Sequence, residues 1–232
     1  MFRQDTGRVT AILESGSTYA LIQVRVGEDE SAVPAVVYPR LTGMPEVGDL
    51  VRLNTTALQL GLGTGGAHFV TSIVGKPYPL PSTKLSGHIM KLRYTPWQFP
   101  VLAGEEERHP GSAVYREAET RGLEGLPVIV CELHSHLRPV IWMLRRMLPP
   151  QTRVVYLMTD GAALPAWLSR QIEELRKLGW LQAVVTTGQA FGGDFEAVNV
   201  ASGLLIAKSL ALADVAVVAM GPGIVGTGTR YG

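Results

Sequence analysis

Val215-Ala216-Val217-Val218-Ala219 runs directly into Met220-Gly221-Pro222-Gly223-Ile224-Val225-Gly226-Thr227-Gly228-Thr229. The first part is a short apolar strand. In the second, glycines at 221, 223, 226 and 228 remove the Cβ atoms that would hold a ligand away from the backbone, so several N–H groups can point at one anion. The junction reads as a strand opening into a phosphate or carboxylate cradle, with Gly221, Gly223, Gly226, Gly228 and Thr229 as ligand-binding residues. The plain alternative is a flexible glycine-rich tail.

Upstream of this junction, strands and helices alternate. Pro127–Leu133 reads as a buried strand. Leu137–Leu148 reads as a helix, with apolar residues at 137, 140, 141, 144, 147 and 148 and a stop at Pro149-Pro150. Val154–Met158 is the next strand, followed by a helix over Leu164–Leu178 that has Pro165 near its first turn and Gly179 just past its end. Ala183–Thr186, a helix over Phe195–Leu210 and Val215–Ala219 complete the series. Repeated strand–helix–strand units with right-handed crossovers predict an α/β domain over residues 87–232. Its sheet is mainly parallel and Rossmann-like, with helices on both faces.

The N-terminal third has a different period. Arg8–Glu14, Tyr19–Val26, Ala32–Tyr38, Asp49–Asn54 and His68–Val74 alternate as short strands, with turns at Ser15-Gly16, Gly27–Glu30 and Glu46-Val47-Gly48. They predict a small barrel-like β-domain over residues 1–75, of the SH3-like or OB-like kind. Gly61-Leu62-Gly63-Thr64-Gly65-Gly66 precedes a strand instead of opening a helix, so it reads as a hairpin loop and not a phosphate loop. Pro77, Pro79 and Pro81 stiffen the stretch that follows and forbid regular helix, which places a linker at residues 76–86. Beyond it, Lys91 and Arg93 interleave with Tyr94, Trp97 and Phe99. That texture can stack bases, but an ordinary half-buried strand is the favoured reading.

Composition narrows the function classes. A hydrophobic fraction of 46% is enough for a packed core, and 21 Lys and Arg against 20 Asp and Glu leave a net charge of +1. No global field recruits nucleic acid or an anionic membrane surface, so neither is expected as a partner. Cys131 lies inside an apolar run, where a small buried thiol is the ordinary reading, and as the single cysteine it excludes an internal disulfide. The start of the chain lacks the apolar stretch of a secretory signal, and Lys208 and Asp214 interrupt the most apolar region. The expected location is the cytoplasm, where Asn54-Thr55-Thr56 is a strand end and not a glycosylation site.

In an open α/β sheet, ligands bind outside the carboxyl ends of the strands. Those ends carry His134, Ser135 and His136; then Thr159, Asp160 and Gly161; then Gly188, Gln189 and Asp194; then the glycine loop. Asp160 and Asp194 are the catalytic candidates, and Thr159, Gly161, Gly188 and Gln189 join the glycine loop as ligand-binding candidates. The bland role of Asp160 is to cap the following helix, and Asp194 and Glu196 fit the first turn of the next one, where the macrodipole favours acids. The terminal loop matches G-x-G-x-x-G only without a helix after it, and Thr229 stands where a Walker-type lysine would be, which argues against a P-loop triphosphatase. His134 and His136 could ligate a metal with Asp160 or Asp194, but capping of the helix at 137–148 is favoured, so no metal ligand is assigned. Ser135 lacks a nucleophile elbow.

The runs at residues 54–66, 88–96, 158–165, 188–194 and 220–229 together resemble an uncharacterised bacterial family known as a domain of unknown function, DUF3866. The likeness spans essentially the whole chain. It implies no activity, substrate, cofactor or catalytic residue, and it implies that this chain is a truncated member, since the family continues beyond the glycine loop. The sequence thus supports a protein that binds or transforms a phosphorylated or carboxylated small molecule at the carboxyl edge of a parallel sheet. A metal-dependent hydrolase using His134, His136, Asp160 and Asp194, and a non-catalytic interaction module, are the alternatives. Cofactors, catalysis and homo-oligomerisation stay open.

Overall fold

The computed structural model describes residues 3–27, 31–61, 66–79, 87–223, 226 and 228–230. Contacts divide the chain into two compact units, Met1–Pro81 and Ser82–Gly232.

In the first unit, inward-facing apolar residues alternate along five strands: β1 (Gln4–Glu14), β2 (Ala20–Val26), β3 (Ala32–Val37), β4 (Leu50–Asn54) and β5 (His68–Ile73). Val9, Ala20, Ile22, Val24, Ala35, Val37, Val51 and Leu53 point into one core. The period-2 pattern therefore covers one face, and the sheet closes to bury it. The closed order is β1-β2-β3-β5-β4, with β4 returning antiparallel to β1 and a parallel contact between β3 and β5. Two short helical turns, α1 (Pro39–Thr42) and α2 (Thr56–Gln59), cover the connections. The predicted strands are all present. Residues 62–65 of the glycine-rich run at 61–66 lie outside the described residues. Lys76 Nζ reaches Asp49 Oδ2 at 2.7 Å and the Tyr78 hydroxyl donates to the Thr71 carbonyl at 3.2 Å, so the first residues assigned to the linker belong to the barrel. Residues 80–86 of that linker are outside the described ones.

The second unit opens with an antiparallel ribbon, β6 (Ile89–Lys91) and β7 (Phe99–Val101), which accounts for the basic and aromatic stretch. It continues through α3 (Ser112–Arg121), β8 (Val128–Val130), α4 (Leu137–Met147), β9 (Val154–Thr159), α5 (Arg170–Lys177), β10 (Ala183–Thr187), β11 (Phe195–Ala197), α6 (Val200–Ser209) and β12 (Val215–Met220). The five-stranded order is β11-β10-β9-β12-β8, and every pairing in it is parallel. Leu137, Ile141, Ile172 and Leu175 from α4 and α5 cover one face over Val154, Tyr156 and Met158. Tyr115, Ile206 and Ala207 from α3 and α6 cover the other over Val155, Leu157 and Val185. The chain steps one way from β9 to β10 and back from β11 to β12. With right-handed crossovers, that reversal puts α5 and α6 on opposite faces.

Three expectations need correction. The helix over Phe195–Leu210 is in fact β11 followed by α6: Phe195 to Ala197 pair with Val185 to Thr187, and the helix begins only after Asn199. Asn199 and Ser202 form a reciprocal capping box that fixes this start. Asp194 and Glu196 are accordingly not first-turn acids. The helix over Leu164–Leu178 is a 3-10 turn at Ala166–Leu168 followed by α5, because Ser169 caps the helix by accepting the Ile172 N–H at 3.2 Å. Finally, no His side chain caps α4; residues 134–136 form a 3-10 turn leading into it.

Candidate functional site

The β9–β12 ladder runs from Val154↔Val215 to Thr159↔Met220. Asp160 and Gly221 therefore leave adjacent strands side by side, where neighbouring backbones stand ~4.8 Å apart. Gly188, one residue past β10, packs directly on Asp160: a Cβ there would lie 2.5 Å from Asp160 Oδ2 and 2.8 Å from its Cγ, and its φ of +61° is itself a glycine conformation. On the other side, the Met158 and Leu164 side chains crowd Gly221, and the Met220 side chain crowds Gly161. The ends of β9, β10 and β12 thus approach one another through positions without side chains. Asp160 is exposed and makes no hydrogen bond or ion pair among the described residues. The helix-capping role open to it is taken by Ser169. Gly223 stands at φ +88°, 3.7 Å from Leu164 by its added Cβ, and Gly226, Gly228 and Thr229 are exposed. Ile224, Val225 and Thr227 are outside the described residues.

Behind the β10–β11 loop lies a buried cluster that the sequence reading missed. Lys91 is fully buried, and its Nζ donates to the carbonyls of Gly188 and Ala190, both at 2.8 Å, while facing Glu196 Oε2 at 3.1 Å. Glu196 also accepts the Thr186 hydroxyl and the Gly192 N–H, each at 2.7 Å. Burial pushes the Glu196 carboxyl up from its ordinary range, against the pull of the Lys91 charge. Lys91 thereby fixes the carbonyls of the loop whose glycine packs on Asp160. The only local signal was a lysine in a strand-like stretch, and its partner lies 105 residues on. Gln189 is held from the same side: its Oε1 accepts the Arg93 N–H at 3.1 Å, which turns the side chain toward the β6 ribbon.

Asp194 does not join Asp160. Its carboxylate forms a two-pronged pair with Arg176 and accepts the Val184 N–H at 2.7 Å. Val184 is near the amino end of β10, four residues before Gly188, or about 13 Å along the strand. The β10–β11 register turns the loop back on itself and leaves Asp194 at the opposite end of the sheet from Asp160.

His134 is buried and fully engaged. Tyr156 donates its hydroxyl proton to the Met220 carbonyl at 2.8 Å, so its oxygen is the acceptor for His134 Nδ1–H at 3.1 Å. The other nitrogen, Nε2, then accepts the Ser169 hydroxyl at 2.6 Å. Burial lowers the His134 pKa, with the Met220 backbone pulling weakly the other way. Both ring nitrogens being spent, His134 has none left for a metal. Among the described residues, no three His, Cys, Asp or Glu side chains converge as a metal would require. Cys131 is partly buried and its thiol is pushed up by that burial, which makes it a poor nucleophile.

Fold and site together define an α/β protein with a five-stranded parallel sheet, preceded by a closed β-barrel. The sequence pattern described as "Protein of unknown function (DUF3866)" matches residues 34–232, and the chain belongs to that family. The match reaches the last residue of the chain, and the truncation expected from the resemblance is not borne out. No curated protein matches the chain. Among the described residues no helix is long and apolar enough to cross a membrane.

Proposed function

We propose that the Rossmann-like α/β unit binds a small molecule carrying a phosphate or carboxylate at the carboxyl edge of its sheet. Backbone N–H groups of Gly221, Gly223, Gly226 and Gly228 hold the anion, and Thr159, Asp160, Gly161 and Gly188 line the opposite wall. The observation that supports this reading most is the packing of an unpartnered Asp160 on Gly188, beside Gly221. Three strand ends meet there at or beside glycines, Gly188 against Asp160 and Gly221 against the Met158 side chain, and parallel strands present such ends together as a ligand-binding edge. A carboxylate next to an anion site also selects the ligand: Asp160 needs a donor, so the molecule carries a hydroxyl or amine near its anionic group. Asp194, tied to Arg176 at the far end, has no part in this site.

A thermal-shift screen against nucleotides, sugar phosphates and hydroxy acids tests the reading, since a ligand at a hundred times its dissociation constant adds about 2.7 kcal/mol. Against any hit, Gly223→Val should abolish binding while the sheet stays folded, because valine tolerates φ +88° poorly and would rebuild the loop. Asp160→Asn should keep the fold and weaken binding about tenfold or more. Wild-type affinity in both variants would refute the site.

A further inference from the structure

The α/β unit carries a second cleft, at the opposite edge of its sheet from Asp160. The carboxyl ends of α3 and α6 and the residues leading into β9 and β12 enclose about 280 Å³, near the lower limit of small-molecule sites. Arg153 lines it just before β9, whereas Asp160 follows that strand, so roughly 20 Å of extended chain separates the two places. Part of the lining is apolar. Ala118 and Ala213 are buried in it, while Val114 and Leu212 are exposed. Leu212 holds φ +56°, a conformation that a bulky side chain rarely takes and glycine takes freely. Its side chain stands largely in water, so contacts within the protein do little to offset that strain, and a leucine kept there at a cost points to a contact outside the chain.

The charges lining the cleft pair off with one exception. Arg153 forms a two-pronged pair with Asp214, at 2.9 and 3.1 Å. Arg121 faces Glu124 at 3.8 Å and, outside the lining, Glu117 at 3.5 Å. Lys208, in the last turn of α6, makes no hydrogen bond or ion pair among the described residues. Its charge helps to hold the Asp214 carboxyl down, but both oxygens of that carboxylate are already taken by Arg153. The α6 carbonyls nearest the cleft are taken as well: Ile206 accepts from the Leu210 and Ala211 N–H groups, and Ala207 from that of Ala213. One spare ammonium group beside apolar surface suits one negative charge on an apolar body. A phosphate dianion would need a second free cation, and an amine would meet a like charge.

We propose that this cleft binds a small carboxylate with an apolar body, its charge on Lys208 and its hydrocarbon part against Val114 and Leu212. The test is a methyl NMR titration of the full chain with benzoate and isovalerate. Benzylamine and benzyl alcohol serve as cationic and neutral counterparts, and inorganic phosphate as an anion without hydrocarbon. At least one carboxylate should shift the Val114 and Leu212 methyl signals saturably and bind at least roughly tenfold tighter than every control. Lys208→Gln and Leu212→Gly, read at Val114, should each weaken that binding roughly tenfold. Because φ +56° is glycine's own region, Leu212→Gly should melt no lower than the parent, so this variant tests recognition apart from folding. The proposal fails if neither carboxylate moves these signals, if benzylamine, benzyl alcohol or phosphate binds as tightly, or if either variant binds as the parent does.

Discussion

Two buried side chains decide how the α/β unit responds to change. Among the described residues Lys91 is the sole cation facing Glu196, and it also satisfies two carbonyls. Lys91→Met removes all three interactions and leaves Glu196 buried and unpaired, a change that costs about 3–5 kcal/mol. Urea unfolding at pH 7 should show that loss. Because burial already raises the Glu196 pKa, the carboxyl of the variant can escape by taking a proton. The deficit should therefore narrow as the pH falls, and a variant within about 1 kcal/mol of the parent at pH 7 would contradict the buried pair. His134 gives the opposite slope. Its folded pKa is depressed, so its contribution is present above the unfolded value of about 6.5 and is lost as the pH falls through the folded one. Between pH 8 and 5 the parent should lose stability more steeply than His134→Gln, which has no proton to take up. Equal slopes in the two proteins would mean that His134 is already protonated or accessible in the native state.

At the level of elements, the sheet was legible wherever burial acts on both faces. Val154–Met158, Ala183–Thr186 and Val215–Ala219 are continuous apolar runs of strand length, and they became β9, β10 and β12 nearly residue for residue. The rule that parallel strands present their carboxyl ends together then brought Thr159, Asp160, Gly161, Gly188 and Gly221 to one edge. β11 was not legible. Phe195-Glu196-Ala197 is too short for a period, and Glu196 is tolerable in a strand only because Lys91, far away in sequence, neutralises it. Once that strand pairs with β10, Asp194 must lie at the amino end, and no local pattern could have said so. His134 failed for the same reason: Tyr156 and Ser169 are brought to it by the fold and not by spacing. The true start of α6 rests on the Asn199–Ser202 box, and Asn199→Ala should lower stability by about 1 kcal/mol. Melting temperature measures this directly. An unchanged value would mean that the helix starts elsewhere.

For the whole molecule, the question is which stretches fold as units. Among the described residues the barrel core draws on residues between Val9 and Ile73, and the two cores of the other unit on residues from Tyr115 onward. The contacts of Lys76 and Tyr78 fall back on the barrel, so a cut after residue 81 severs none of them. We therefore expect fragments 1–81 and 82–232 each to unfold cooperatively, the smaller with less stability because a short chain buries a smaller share of its surface. The family match cuts elsewhere. It begins at residue 34, inside β3, and leaves out all of β1 and β2. β1 holds both β2 and β4, so its loss opens the barrel and exposes the inner faces of β4 and β5. A fragment spanning 34–232 should keep the unfolding transition of 82–232, show no second transition, and bind a hydrophobic dye through its exposed barrel residues. If it instead melted with the barrel transition intact, β1 and β2 would be dispensable and the closed five-stranded arrangement would be wrong.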